Sequence, residues 1–117
     1  MTVLALRGSL RSHLSAGIPD RHQGGVRLDV DLAAVAANVE LLARRATGEL
    51  MAVVKADGFG HGAAAVARTA LAHGATRLGV TSLAEAVALR ADGVGAPLLT
   101  WLNPVDADFG AAHTHDL

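Results

Sequence analysis

The stretch Leu50-Met51-Ala52-Val53-Val54-Lys55-Ala56-Asp57-Gly58-Phe59-Gly60-His61-Gly62 decides how the rest of the chain is read. Its first five residues form a continuous apolar run, the pattern of a strand buried on both faces. The run ends at Lys55, the only lysine among 117 residues, and passes into a turn with three glycines. A desolvated lysine has a lowered pKa, so its neutral, nucleophilic form is populated near neutral pH and suits carbonyl chemistry. Glycines let the backbone approach an anionic group, with the N-terminus of a following helix aimed at it. An aldehyde cofactor with a phosphate tail, pyridoxal phosphate, meets both requirements. The plainer alternative is a compositional bias: nine arginines accompany the one lysine, which leaves few lysines anywhere.

Outward from this stretch the pattern is regular. Upstream, Val26-Arg27-Leu28-Asp29-Val30 alternates apolar with polar, as a half-exposed strand does. Asp31 is placed to cap a helix whose apolar positions Leu32, Val35, Val39 and Leu42 recur at helical spacing, with Gly48 as a stop signal. Downstream, Ala63 to His73 reads as an alanine-rich helix ending at Gly74. Arg77-Leu78-Gly79-Val80 is a short strand, and Ser82-Leu83-Ala84-Glu85 is a capping box opening a helix through about Ala91. Asp92-Gly93 ends that helix, and Pro97 to Leu102 reads as the next strand. Alternating strands and helices at this spacing predict βα units around a parallel sheet. Residues 111–117 show no recognisable element.

Such a sheet is either doubly wound or closed into a barrel, and closure takes eight strands and about 250 residues. Three βα strands after the leading segment are therefore expected to be one part of a longer chain. Residues 1–25 mix Gly, Ser, Arg, His and Pro without periodicity and read as a disordered N-terminal extension; residues 26–117 form the structured portion. Three barrel strands alone leave sheet edges unpaired, so the isolated chain is expected to unfold without a sharp transition.

Composition narrows the function. Apolar residues make up 51% and aromatics 3%, with no tyrosine, so the core is built from Ala, Val and Leu. The net charge of −1 and the scattered basic residues argue against a nucleic-acid footprint. The absence of cysteine removes disulfides, thiol nucleophiles and thiolate metal sites, and fits a cytoplasmic protein. No stretch approaches the roughly 18 apolar residues of a membrane span.

Residues 50–62 closely resemble the cofactor-lysine segment of bacterial alanine racemases, in which an apolar strand runs into Val-Lys-Ala-(Asn or Asp)-x-(usually Tyr)-Gly-His-Gly. The similarity continues through Leu28 to Leu32, Gly74 to Ala86 and Ala96 to Leu102, about residues 26–110 in all. The resemblance implies the N-terminal part of a (β/α)8 TIM-type barrel and a homodimeric enzyme that interconverts L- and D-alanine for peptidoglycan. It implies pyridoxal phosphate as cofactor, attached to Lys55, which then serves as one of two catalytic bases. A lysine at the C-terminal end of a barrel strand lies where catalytic groups of this fold cluster.

The chain departs from the family at the second base. The family uses a tyrosine from the partner subunit's C-terminal β-domain, and this sequence has none, so these 117 residues are not expected to racemise alanine by themselves. Phe59 stands where the family usually has a tyrosine reaching towards the phosphate. The missing hydroxyl removes a hydrogen bond to a charged group worth about 1.5–3 kcal/mol, unless Phe59 simply packs at the barrel mouth. Val53, two residues before Lys55, faces the same side of its strand and is a candidate to line the cofactor site, with ordinary core packing the equal alternative. Trp101 is a further candidate at the site mouth, although its large apolar body favours plain packing.

Three weaker features complete the reading. His61 in the glycine turn suits structural hydrogen bonding. His113 and His115 fall on one face if their segment is a strand, but lack the further ligands of a metal site, so no metal is expected. Asp29 and Asp31 flank Val30, with Asp31 better explained as a cap. Two alternatives to the enzyme are a non-catalytic pyridoxal-phosphate-binding protein on a single barrel and a truncated product without activity.

Overall fold

The computed structural model describes residues 27–117. The expected N-terminal extension, and Val26 at the head of the expected leading strand, lie outside them.

Asp31 caps the first helix as its position predicts. Its Oδ1 accepts from the backbone N–H of Ala33 at 2.9 Å and of Ala34 at 3.1 Å, satisfying donors that a helix start leaves open. Helix α1 (Leu32–Arg45) follows, with Arg44 and Arg45 in its last turn, where cations meet the negative end of the helix dipole. Ala46, in extended conformation, ends the helix two residues before Gly48. The leading strand does not form over residues 27–30: they join no ladder of the sheet. Alternation reported which face Val30 buries but not whether a partner exists.

The sheet consists of β1 (Met51–Val53), β2 (Arg77–Val80) and β3 (Leu98–Thr100), ordered β1-β2-β3. Both pairings are parallel and place Val53, Gly79 and Leu99 in one row. Helix α3 (Ala63–Ala72) connects β1 to β2, and α4 (Leu83–Ala91) connects β2 to β3. The capping box at α4 is complete, with Ser82 and Glu85 bonding reciprocally.

The two faces of the sheet differ. Val54, Leu78, Val80 and Leu98 pack on Ala67 of α3 and on Ala86 and Leu89 of α4, with Val94 closing the cluster. Burying a leucine such as Leu78 or Leu89 contributes about 1.5–3 kcal/mol. Alternation along the strands puts Met51, Val53, Gly79, Leu99 and Trp101 on the opposite face. That face is the less covered one among the described residues, and Leu99 is 50% exposed. The expectation that β1 is buried on both sides is therefore corrected: Met51, Ala52 and Val53 are each half-buried.

The third unit ends in an element that sequence reading missed. Asp108 accepts from the Ala111 N–H at 3.1 Å and opens helix α5 (Phe109–Thr114). Six residues are too few to show helical periodicity. This helix also removes the premise for a histidine pair: His113 lies within α5 and His115 caps it, and residues two apart on a helix do not share a face.

Candidate active site

The site is built where β1 ends. Lys55–Gly60 forms one tight turn, α2, of reversed hand: φ is 54° at Ala56, 54° at Asp57, 61° at Gly58 and 62° at Phe59. Left-handed conformation costs an L-residue roughly 1–2 kcal/mol, and three of these four carry side chains. Such strain persists only where the surroundings over-determine the backbone, and here they do. Gly58 N–H donates to Val54 O at 2.9 Å, and Gly62 N–H donates to Asp57 O at 2.9 Å. Asp57 Oδ1 accepts from Ala63 N–H at 2.8 Å. Glu85 Oε1 accepts from Ala56 N–H at 2.7 Å.

One of these bonds changes the sequence-based picture of the turn. The N-terminus of α3 was expected to face an anionic group, yet its Ala63 amide is taken by the Asp57 carboxylate. An external phosphate placed there would meet a like charge.

Lys55 sits at the C-terminal end of β1 with its side chain exposed, so the described residues do not themselves supply the desolvation expected for a reactive amine. Val53 precedes it on the inner face, half-buried. The Trp101 ring crosses from the end of β3 to lie over Gly79 and beside Met51. Val53 and Trp101 are thus brought to one side of the sheet, at the same end as Lys55. Phe59 stands on the turn, 67% exposed, its ring 6.2 Å from that of His61 and 21° from parallel. His61 Nδ1 lies 2.8 Å from Gly58 O, so the tautomer that fits carries its proton on Nδ1. His61 is then a hydrogen-bonder of the turn, as its position suggests.

Two participants escaped sequence reading. Gly79 appeared only as a strand residue, although a side chain there would collide with Trp101. Glu85 was recognised in its capping box, but its bond to Ala56, 29 residues away, has no local signal. Its carboxylate collects donors from Ala56 and Thr81, from the Thr81 hydroxyl and from Ser82. Burial pushes this carboxyl up, and those donors together outweigh burial, holding it below the usual glutamate value. Among the described residues no group of three or more His, Cys, Asp or Glu side chains is arranged for a metal ion, and no helix is long and apolar enough to cross a membrane.

Three parallel strands with helices packed on one face, and a lone lysine at the mouth end of the first, define the N-terminal part of a (β/α)8-type barrel. Residues 30–117 match the family described as alanine racemase, N-terminal domain, and the chain belongs to that family. The alanine racemase of Mycobacterium ulcerans is 61% identical over 89 residues, 75% of this chain and 23% of that protein. The alanine racemase of Mycobacterium bovis is 56% identical over the same length. Among solved structures, alanine racemase from Corynebacterium glutamicum superposes with a TM-score of 0.70 at 41% identity, covering 74% of this chain and 25% of the other. That from Streptomyces coelicolor gives 0.70 at 46% identity, covering 74% and 24%. The chain spans about a quarter of the length of these relatives.

Proposed function

We propose that this chain is the cofactor-bearing part of an alanine racemase, with pyridoxal phosphate attached to Lys55 and alanine as substrate. The observation that carries the proposal is the placement of Lys55. The sole side-chain amine of the chain stands exposed at the C-terminal end of β1, where barrel enzymes gather their chemistry. The inner face also fits a flat ring: Val53 and Met51 are apolar, and Gly79 leaves the indole of Trp101 room to lie across the strands.

Pyridoxal phosphate, when bound, supplies an electron sink for the pair left when a proton leaves the substrate α-carbon. Lys55 Nζ is the group that takes the proton from one face or returns it there. A proton on the opposite face needs a second acid. With no tyrosine in this sequence, we assign that role to another part of the complete enzyme, proposed to be a cytoplasmic homodimer making D-alanine for peptidoglycan. Val53 and Trp101 are proposed to line the cofactor site, and Phe59 to border it without the hydrogen bond a tyrosine would give.

The test is to add pyridoxal phosphate, reduce with borohydride and map the modified peptide by mass spectrometry. Stoichiometric label on Lys55 at low cofactor concentration is expected. Label confined to the N-terminal amine, or none, would overturn the proposal.

A further inference from the structure

We propose that Glu85 is a positioning residue for Lys55, its carboxylate clamping the end of β1 to the end of β2 and thereby fixing the backbone from which the lysine projects. The inference rests on the reading of Lys55 as the cofactor lysine and goes beyond it.

A capping box needs only one carboxylate oxygen. Oε2 of Glu85 fills that role and more, accepting from Ser82 N–H at 3.2 Å, Thr81 N–H at 3.0 Å and the Thr81 hydroxyl at 3.1 Å. Oε1 is not needed for the box. It reaches across to Ala56 N–H at 2.7 Å, the shortest of the bonds to this carboxylate. Ala56 directly follows Lys55 and opens the left-handed turn. The N–H that Glu85 holds therefore belongs to the peptide unit shared with the Lys55 carbonyl, and rotation of that unit would swing the Lys55 backbone. Of the turn's other bonds, Gly58 N–H on Val54 O holds the peptide unit before Lys55, and Asp57 Oδ1 on Ala63 N–H acts further along. Glu85 alone, among the described side chains, bonds the residue next to the lysine.

Substitution by glutamine separates the two duties. An amide offers one acceptor oxygen and one donor nitrogen where the carboxylate offers two acceptors. Turned to keep the Thr81 and Ser82 donors, it presents its own NH₂ to Ala56 N–H and leaves that group unpartnered. The helix cap survives and the tether does not.

The experiment compares the wild-type chain with Glu85→Gln and Glu85→Ala by amide hydrogen exchange and by borohydride trapping of pyridoxal phosphate on Lys55 over a range of cofactor concentrations. In Glu85→Gln, Ala56 exchange is expected to rise about tenfold, as for one lost charge-assisted bond, while α4 amides change little. The cofactor concentration that half-labels Lys55 is expected to rise by a similar factor. Glu85→Ala is expected to lose the α4 protection as well. A Glu85→Gln chain that labels like the wild type at every concentration overturns the positioning role, whatever happens at Ala56. Absence of Lys55 label in the wild type removes instead the reading of Lys55 as the cofactor lysine, and the positioning role falls with it.

Discussion

The six-membered ring of Trp101 occupies the space a side chain on Gly79 would need. A β-carbon built on Gly79 falls 2.7 Å from Trp101 Cζ3, 3.0 Å from Cη2 and 3.1 Å from Met51 Sδ. An indole cannot deform, so Gly79→Ala must shift the ring or the strand. Overpacking of this kind costs about 1–3 kcal/mol. Trp101 is the only tryptophan, so its fluorescence reports the displacement directly. Gly79→Ala is expected to shift the emission maximum and to raise the cofactor concentration needed to label Lys55. An unchanged spectrum would mean the ring does not rest on Gly79 in solution.

Lys55→Ala separates chemistry from stability. The side chain is exposed and its removal opens no cavity, so stability should change by no more than about 0.5 kcal/mol. Cofactor labelling of the chain should fall to that of the N-terminal amine. A large loss of resistance to urea would show that Lys55 supports the fold in a way its exposure does not suggest.

Acid should loosen the turn through Glu85. Its carboxyl is held below the usual value of 4.5, so the folded state binds the proton less readily than the unfolded one. The resulting stabilisation is complete above the unfolded value and is lost as pH falls through the folded one. Urea resistance should therefore decline as the pH falls below about 5, and Glu85→Gln should flatten part of that decline. Glu40 acts in the same direction, lowered first by the His73 side-chain hydrogen bond, so Glu40→Gln is the companion variant. A wild-type slope retained in full by Glu85→Gln would show that the clamp does not titrate with stability.

Arg90 ties the end of the chain to the core. Its guanidinium donates to the carbonyls of Val94 and Ala96 at 2.7 Å each, of His115 at 3.0 Å and of Asp116 at 2.6 Å. The planar fork reaches four acceptors that a lysine ammonium, with three donors converging on one point, does not span. Arg90→Lys should raise amide exchange in α5 by about tenfold, on the order of one net hydrogen bond, with α3 unaffected. Equal exchange in the two chains would show that α5 is held by other contacts.

Local signals served well where one element carried its own punctuation. Asp31 and the Ser82–Glu85 box located helix starts, and the run before Lys55 located β1. Arg77–Val80 emerged with the bounds read from sequence. Failures arose where the outcome depended on something not adjacent in the chain. Residues 27–30 carry strand alternation, yet join no strand ladder. Phe109–Thr114 is helical although too short to declare a period. The glycine-rich turn was legible as a turn but not in its hand, which depends on Glu85 and on the Asp57 carboxylate. Lys55 was found by its uniqueness, whereas Gly79 gains meaning only when β3 delivers Trp101 across it.

The reversed hand of Ala56–Phe59 inverts the ordinary rule for glycine. Elsewhere in an element glycine loosens a fold; here Ala56→Gly or Phe59→Gly would remove a steric conflict from the folded chain while widening the conformations open to the unfolded one. These effects oppose each other, so net stability is a poor gauge of what the side chains do. Their effect is on exchange between hands. A segment wound this way reaches the commoner right-handed basin only by crossing the forbidden territory between them, breaking the Glu85 and Asp57 bonds on the way. Lys55 is thereby mounted on a segment that a steric barrier holds in one hand, and not on a hinge.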